Sequence, residues 1–455
     1  MKKTKKILYY LTLAPIIIML ILIGWFFTVI FEGKPPSIEF SPKPEFISNR
    51  QTIHIRIEDK ERGLKRLKVS VNQEGRVQSI IDKTFPFQGL LNRPGIRMFE
   101  TDCSIDPNAL KLAQGRVDLD IQVWDYSRRG GGDGNRTVAQ HKLVVDTIPP
   151  SVRALSRMNN INLGGTCLVI YQVSSDTEQS GIFVGDIFFP GFKAGGNVKE
   201  GVHVCYFTVP YNTEEIPSIY LWAKDKADNR STSTFYTHVR KKRFRRDNIN
   251  ISDSFLKKVL PYFAYYPNPE NKDPLSRYIQ LNNDLRKENH QKLIELQKKV
   301  SAQQLWEGAW LRMKNAATMA GFGDHRSYYY KGKKIDEQIH LGIDLASLAN
   351  SPVQAANNGR VLFAGRLGIY GLTILLDHGQ GISSLYGHLN EISVAVNDEV
   401  KKGDIIGHSG QTGMAGGDHL HFSILVNGIF VNPVEWWDPH WIKDNIERKL
   451  ALLSP

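Results

Sequence analysis

The chain begins with an apolar run that is too long for the interior of a small domain. Ile7 to Phe31 gives 25 nearly uninterrupted apolar residues. As a helix they would span ~37 Å, more than the ~30 Å hydrocarbon core of a bilayer. Residues 1–6 carry four lysines, and the positive-inside rule keeps such a basic tail in the cytoplasm. A cleaved signal peptide is the alternative, but the run is long and no small-residue cleavage site follows it.

The sequence therefore predicts a transmembrane signal anchor over 7–31. Everything after Phe31 is then expected outside the cytoplasm, in the periplasm, on a single-pass protein of the inner (plasma) membrane. The lipid bilayer is the first expected partner.

Length and composition indicate several folded domains. The chain has 455 residues, of which 41% are hydrophobic and 23% charged, and this suits about three domains. The net charge is +12, but no nucleic-acid-binding motif accompanies it, and we expect no nucleic-acid partner. An anionic membrane or an anionic cell-wall polymer explains the charge equally well.

Three cysteines are few for a chain of this length: Cys103, Cys167 and Cys205. Outside the cytoplasm a disulfide is permitted. Cys167 and Cys205 fall in strand-like runs of one predicted domain, so a bridge between them and three buried thiols both stay open.

Two consecutive stretches, 37–147 and 151–240, read as short alternating strands separated by a pair of prolines. Both contain a strand with a tryptophan near its end, Trp124 or Trp222, followed by an aspartate and a polar turn. This internal repeat predicts two tandem immunoglobulin-like β-sandwiches. The predicted fold class is mainly β and multidomain.

Two segments without strand character follow. Arg240 to Arg246 is a dense basic run, either a patch for anionic lipid or wall polymer or, as we favour, a solvated junction. Residues 252–318 change to a helical period, with Asp273-Pro274 as a start signal. We expect a helical linker, as one long helix or a pair. It would brace the last domain or occlude its groove, and bracing is preferred.

Residues 321–440 are rich in predicted strands and glycines, and 441–455 read as a tail. Seven of the 13 histidines lie between His340 and His440. Side chains alternate faces along a strand, so the two ends of H-x-G-x-D at 340–344 share a face, as do the two histidines at 419–421. Two imidazoles and one carboxylate are the ligands of a catalytic zinc site. Either pattern alone also fits ordinary hydrogen-bonded histidines.

The C-terminal region resembles a known family through three motifs in order: His340-x-Gly342-x-Asp344, Tyr386-Gly387-His388-Leu389 and His419-Leu420-His421-Phe422. The family is that of the lysostaphin/LytM-type zinc metallopeptidases, M23. The resemblance covers roughly residues 321–440.

The resemblance implies Zn²⁺ as the cofactor, held by His340, Asp344 and His421. It implies His388 and His419 as the catalytic residues, without showing which accepts and which donates a proton. Zinc-activated water and two imidazoles then carry the hydrolysis, because no H-E-x-x-H glutamate is present in this domain.

One more residue has two readings. Tyr386 lies two positions before His388, hence on the same strand face by alternation. It is either a substrate contact or a packing residue.

The family cleaves peptide bonds in bacterial peptidoglycan, and the predicted anchor puts the domain where that polymer is. The sequence therefore predicts a membrane-anchored zinc metalloendopeptidase acting on peptide cross-links, similar to D,D-endopeptidases, with peptidoglycan as partner and a protein regulator left open. One alternative is a catalytically silent relative that activates a cell-wall amidase. Another is an adhesion or scaffold arm formed by the sandwiches.

Overall fold

The computed structural model describes residues 2–195, 199–268, 270 and 272–453. Contacts divide the chain into two compact units, Met1–Pro149 with Lys226–Asn229, and Pro150–Asp225 with Arg230–Pro455.

The first unit starts with helix α1 (Lys2–Ile30), whose segment Tyr9–Ile30 is long and apolar enough to cross a membrane or to serve as a signal sequence. Where α1 ends, the Arg128 N–H donates to the Ile30 carbonyl at 2.9 Å. Arg129 Nε donates to the Phe31 carbonyl at 2.8 Å. The chain leaving the helix is thus fastened to a loop of the same unit.

Eight strands follow in this unit: β1 (Ser37–Ser41), β2 (Phe46–Ile47), β3 (Gln51–Glu58), β4 (Leu64–Gln73), β5 (Arg76–Thr84), β6 (Met98–Ile105), β7 (Gly115–Asp125) and β8 (Arg136–Val145). They form a three-stranded sheet, β1-β3-β6, and a five-stranded sheet, β2-β8-β7-β4-β5. Ile53, Ile55 and Ile57 alternate with exposed residues along β3 and enter one apolar core shared with the other sheet. Short 3-10 turns span Leu90–Asn92 and Gly130–Gly132.

The second unit opens with ten strands: β9 (Val152–Ala154), β10 (Asn160–Asn162), β11 (Thr166–Val173), β12 (Thr177–Val184), β13 (Ile187–Pro190), β14 (Phe192–Lys193), β15 (Val202–Thr208), β16 (Ile219–Asp225), β17 (Arg230–Thr234) and β18 (His238–Arg240). Two four-stranded sheets, β14-β15-β11-β9 and β13-β12-β16-β17, make a second sandwich, and β10 pairs with β18. The immunoglobulin-like character of both sandwiches stays a prediction.

The structure decides between the two readings of the cysteines. Cys205 lies opposite Val169, and Cys167 lies opposite Phe207. Both thiols are buried and free, as is that of Cys103. Three buried thiols are therefore what the fold contains.

The linker is helical only in its first part, which contains α2 (Asp253–Val259), a 3-10 turn (Leu260–Phe263), α3 (Pro274–Gln280), a π-turn (Leu281–Leu285) and α4 (Arg286–Gln297). Asp273 caps α3 by accepting from the Leu275 and Ser276 amides, as the start signal predicts. Leu281 and Leu293 are fully buried in the core of the second unit. The linker therefore braces the C-terminal domain.

The prediction of helix up to residue 318 is wrong beyond Gln297. Residues 298–316 form no helix or strand. The Leu305 N–H donates instead to the His378 carbonyl, and Trp306 and Trp310 pack on Trp436 with ring centroids 5.3 and 5.0 Å apart. Hydrogen bonds and aromatic burial against the domain outweigh the local helical preference here.

The C-terminal domain contains fourteen strands: β19 (Arg246–Ile251), β20 (Ala317–Ala320), β21 (His325–Tyr330), β22 (Lys333–Ile339), β23 (Ile343–Ala346), β24 (Pro352–Gln354), β25 (Gly359–Arg366), β26 (Leu372–Gly379), β27 (Ile382–Leu389), β28 (Glu391–Ile392), β29 (Glu399–Val400), β30 (Ile405–His408), β31 (Leu420–Val426) and β32 (Ile429–Val431). The central sheet has the order β20-β23-β31-β27-β26-β25-β29, with β32 on β31. Two smaller sheets have the orders β19-β21-β22 and β24-β30-β28. A 3-10 turn spans Gly368–Tyr370.

The end of the chain is packed rather than loose. It contains α5 (Pro433–Trp437), α6 (Pro439–Ile442), a π-turn (Lys443–Glu447), α7 (Arg448–Leu450) and a 3-10 turn (Ala451–Leu453). The buried Lys449 Nζ donates to the Leu168 carbonyl at 2.7 Å and to Asn159 Oδ1 at 3.1 Å. Residues 441–453 thus fasten onto the second sandwich.

A second buried contact joins the same two regions. The Glu435 carboxylate accepts from Asn162 Nδ2 and from the Thr166 amide, both at 2.8 Å. Burial raises the pKa of Glu435. The second sandwich and the C-terminal domain therefore share one core, although the sequence predicts separate domains.

Candidate metal centre and catalytic pocket

Three side chains from the central sheet and its entry loop meet at one point. His340 Nε2 lies 2.9 Å from Asp344 Oδ1 and 3.1 Å from His421 Nδ1. His421 Nδ1 also lies 2.9 Å from Asp344 Oδ1. β23 pairs with β31 so that Asp344 is directly opposite His421, which holds the carboxylate and that imidazole side by side. All three side chains are buried.

Hydrogen bonds outside the cluster fix which nitrogen of each imidazole faces its centre. His340 Nδ1 lies 2.8 Å from the Gly321 carbonyl, which can only accept, so this nitrogen carries the proton. Ser423 Oγ donates to the Leu341 carbonyl and lies 3.0 Å from His421 Nε2. The Ser423 oxygen therefore accepts from His421 Nε2. In the neutral rings, both lone pairs point at the Asp344 carboxylate.

Two imidazole lone pairs and a carboxylate oxygen within 4.8 Å of one another form a set of acceptors without a donor. Such a set is repulsive by itself and is stabilised by a cation at its centre. Orientation of ligand imidazoles through the other ring nitrogen is the arrangement found around bound metals. The residues present therefore fit a divalent metal ion, and the N, N, O donor set suits zinc.

The second oxygen of Asp344 is held separately. Arg326 Nη2 donates to Asp344 Oδ2 at 2.9 Å, and both side chains are largely buried. Sequence reasoning missed Arg326, since nothing in the motifs points to a residue on β21.

Gly342 is required by close approach of His421. A Cβ at this position would lie 2.5 Å from His421 Nε2 and 2.6 Å from Ser423 Oγ. The absent side chain of Gly342 thus leaves room for the His421 ring. His340 precedes β23, which begins at Ile343. The strand alternation predicted for 340–344 therefore applies only to Ile343 and Asp344.

Two further imidazoles line the same pocket. The rings of His388 and His419 have centroids 4.8 Å apart, and that of His388 is 5.8 Å from that of His421. His388 Nδ1 lies 2.8 Å from the Thr412 carbonyl, and His419 Nδ1 lies 2.8 Å from the Gly417 carbonyl. Each ring is therefore anchored through its Nδ1 proton and leaves Nε2 free to accept or donate a proton.

The two rings differ electrostatically. Burial lowers the pKa of His388 well below its usual value, and the neighbouring imidazoles His419 and His421 act in the same direction. Burial also acts to lower the pKa of His419, but the charge of the Asp344 carboxylate, whose Oδ1 lies 3.6 Å from His419 Nε2, outweighs it and raises the value. Burial lowers the pKa of His421 to about 4.

The structure places Tyr386 outside the pocket. It lies opposite Phe422, whereas the next residue, Gly387, lies opposite His421, so Tyr386 is on the other face of the sheet. Its hydroxyl accepts from the Ala356 amide at 2.8 Å, and the side chain is fully buried. The substrate-contact reading is therefore corrected to packing.

The shared face expected for Tyr386 and His388 is also wrong, because His388 has a φ of +62°. A left-handed residue at the end of β27 breaks the alternation and turns the imidazole towards the pocket.

The pocket around these histidines has a volume of about 440 Å³. Most of its lining residues belong to the C-terminal domain, and the helical linker adds Phe255, Tyr278, Asn282 and Arg286. Sequence reasoning also missed these linker residues, since a helical period indicates a buried face but not what it covers.

Comparison with known proteins places this domain. Residues 338–433 match the model of peptidase family M23. The DD-carboxypeptidase/endopeptidase Mpg of Neisseria meningitidis serogroup B is 41% identical over 97 residues, which are 21% of this chain and 22% of that protein. The murein hydrolase activator EnvC of Escherichia coli is 36% identical over 95 residues, 21% of this chain and 23% of its own length.

The crystal structure of a putative peptidase M23 from Pseudomonas aeruginosa aligns with 60% of this chain, and the alignment includes 94% of the Pseudomonas chain. It is 19% identical, with a TM-score of 0.38. The matches to Mpg and EnvC include only about a fifth of the length of each of those two proteins.

Proposed function

Because the C-terminal region of this chain is an M23 peptidase domain of the lysostaphin/LytM type, we propose that the protein is a zinc metalloendopeptidase of the cell envelope. It hydrolyses peptide cross-links of peptidoglycan. The observation that carries this proposal is the convergence of His340 Nε2, Asp344 Oδ1 and His421 Nδ1, with both imidazole protons directed away from the centre.

His340, Asp344 and His421 hold the metal ion. A bound zinc ion supplies a Lewis acid that activates water and polarises the scissile carbonyl. His388 and His419 present Nε2 to the same pocket. One of them accepts the proton of the attacking water, and the other donates to the oxyanion or the leaving amine.

The substrate class rests on the relatives. Mpg is named a DD-carboxypeptidase/endopeptidase, and ShyA of Vibrio cholerae, 33% identical over 96 residues, a peptidoglycan DD-endopeptidase. We extend the D,D specificity to this chain as part of the proposal.

The location rests on α1. Its apolar segment Tyr9–Ile30 and the basic residues before it suit a single-pass anchor in the inner membrane. The chain after Phe31 then lies in the periplasm, where peptidoglycan is.

The second candidate function is activation of a cell-wall amidase by a catalytically silent domain, because EnvC is a murein hydrolase activator. The intact ligand set and both pocket histidines favour the enzyme. An activator needs neither.

Digestion of purified peptidoglycan by the full-length protein in detergent tests the proposal. Mass analysis of the soluble products is expected to show monomers released from cross-linked dimers, with release abolished by zinc chelation and by H421A. Zinc-loaded, folded protein that releases nothing, but stimulates an amidase equally well as wild type and as H421A, would replace the enzyme with the activator.

A further inference from the structure

A second cavity adjoins the metal pocket and has a different character. Its volume is about 640 Å³, within the range of small-ligand sites. Four of its lining residues are positively charged at neutral pH: Arg246, Arg286, Arg326 and Lys334. Burial lowers the pKa of His290, which also lines the cavity, to about 4, so this ring adds no charge. Glu337 is the one carboxylate among the described residues of its lining. The cavity therefore presents a strong excess of positive charge.

The two cavities meet at two guanidinium groups. Arg286 and Arg326 line both the metal pocket and this basic cavity. Arg326 is already bound to Asp344, one of the proposed metal ligands. Arg286 therefore borders the pocket that contains the proposed metal ligands.

Arg286 is positioned but not neutralised. Its Nε and Nη2 donate to the Asn282 carbonyl and to Asn282 Oδ1 at 3.1 and 2.7 Å. Asn282 is fully buried and is itself held by Asp336 Oδ2 at 2.7 Å. Within residues 2–195, 199–268, 270 and 272–453, Arg286 forms no ion pair and its Nη1 has no acceptor. The free edge of a fixed guanidinium is what a carboxylate binds.

The π-turn at Leu281–Leu285 explains why this arginine is held so firmly. The wider turn carries Asn282 and Asn283, and both donate to Asp336 Oδ2 on β22. π-turns inside helices occur frequently at functional sites. The turn ties the helix to the β21–β22 hairpin, which also carries Arg326.

The basic run seen in the sequence supplies the far side of the cavity. Arg246, its last residue, starts β19 and lies directly opposite His325 on β21. Arg246 also forms no ion pair among the described residues, while the adjacent Arg245 pairs with Asp247. Lys334 is paired with Glu337, so Arg246 and Arg286 are the uncompensated guanidinium groups.

We propose that this cavity is a carboxylate-binding subsite, in which Arg286, supported by Arg246, receives a free carboxylate of the peptide substrate beside the scissile bond. The proposal rests on the proposed function, because a peptide in the metal pocket is what brings a carboxylate to this place. The carboxylate comes either from the chain end of a stem peptide or from an acidic side chain.

The test compares matched cross-linked peptide dimers with the zinc-loaded full-length protein in detergent. One dimer has all carboxylates free, one has the terminal carboxylates amidated, and one has the side-chain carboxylates amidated. Wild type is expected to lose about ten- to a hundredfold in kcat/KM on one amidated dimer, since hydrogen bonds to a charged group are the strong ones. The dimer affected identifies the source.

Variants at Arg286 separate recognition from general electrostatics. R286Q is expected to lower kcat/KM on the free-acid dimer by the same factor. On the amidated dimer that wild type cleaves poorly, R286Q is expected to change kcat/KM by no more than about twofold. R286K is expected to keep part of the preference, since it keeps the charge but not the fork. R243Q removes the same charge from an exposed position of the basic run outside the cavity, and is expected to retain the full preference.

Equal cleavage of all three dimers by wild type, or equal slowing of all three by R286Q, overturns the proposal. A binding measurement distinguishes this failure from that of the proposed function. Calorimetry with a monomeric stem peptide, as acid and as amide, needs no turnover. If the protein binds the acid more tightly than the amide, if this preference depends on Arg286, and if no dimer is cleaved, the carboxylate subsite is supported and the proposed hydrolysis is contradicted. Cleavage without preference does the reverse.

Discussion

His378 and His421 lie in the same domain, and both are fully enclosed by protein. His378 Nδ1 lies 2.7 Å from the Asn358 carbonyl, and its Nε2 lies 2.7 Å from Ser384 Oγ. Both ring nitrogens are therefore satisfied by the fold. His421 has only Nε2 engaged in this way, by Ser423, while Nδ1 faces another imidazole and a carboxylate.

The aspartates beside these histidines differ in the same sense. Asp377 accepts from the Gly379 and Ser301 amides at 2.8 and 2.7 Å and lies near Arg360. Asp344 has one oxygen on Arg326 and turns the other towards the imidazoles. A buried imidazole or carboxylate is structural when its polar atoms are all paired. It indicates a ligand when one atom remains directed at other acceptors.

Replacement of a proposed ligand is expected to have the largest effect. H421A should bind less than one zinc ion per chain and lose about a thousandfold or more in hydrolysis, since a Lewis-acid metal supplies several kcal/mol. The matched change H378A should keep stoichiometric zinc. Metal analysis of both purified proteins measures this, and full zinc in H421A contradicts the ligand assignment.

Replacement of the two other pocket histidines should separate metal binding from catalysis. H388A and H419A are each expected to keep stoichiometric zinc and to lose about a hundredfold to ten-thousandfold in kcat, the usual contribution of a proton-transfer group. Zinc content and kcat on a cross-linked peptide are the measurements. Loss of zinc in either variant would assign that histidine to the metal instead.

Much of the site could be predicted because its residues lie in short local patterns. His419 bridges Gly410 just before β31, His421 lies on that strand, and both side chains reach the same pocket. The pairing of β23 with β31 supplies Asp344. Strand alternation failed at His388, because a single φ of +62° reverses the direction of its side chain. No pattern in the sequence predicts that backbone torsion.

Contacts between distant parts of the chain could not be predicted from the sequence. Arg326 meets Asp344 across two sheets, and Glu435 meets Thr166 although 269 residues separate them. The helical period predicted for 252–318 indicated a buried face, but not that Arg286 borders the site. Such contacts depend on how elements pack, which local propensity and spacing leave undetermined.

The two arginine–aspartate pairs sharpen the opening comparison. R326Q is expected to weaken zinc affinity by about ten- to a hundredfold, because the groups that orient metal ligands contribute this much. R360Q removes the corresponding arginine beside Asp377 and should leave zinc affinity unchanged. Competition with a chromophoric chelator measures both. Equal affinities in wild type and R326Q would show that Asp344 needs no partner at its second oxygen.

The titration of His378 is expected to have the smallest effect on catalysis, because it changes the stability of the fold and not the reaction. Burial lowers its pKa to about 4, against about 6.5 in the unfolded chain. Between these values the unfolded state binds more protons than the folded state does. The free energy of unfolding therefore falls as the pH falls from 6.5 to 4, and the stabilisation from the neutral His378 ring is fully present above pH 6.5. The loss from this one group is about 3 kcal/mol.

A neutral replacement should remove that part of the pH dependence. Urea unfolding, followed by fluorescence of the tryptophan cluster in which Trp310 lies 4.3 Å from the His378 ring, is compared for wild type and H378Q across the same pH range. H378Q is expected to be less stable than wild type at pH 7, and the difference should shrink towards pH 4. H440Q, at a side chain that is 94% exposed, is the control. If wild type and H378Q lose stability in parallel, burial does not hold the His378 ring neutral, and the contrast with His421 fails.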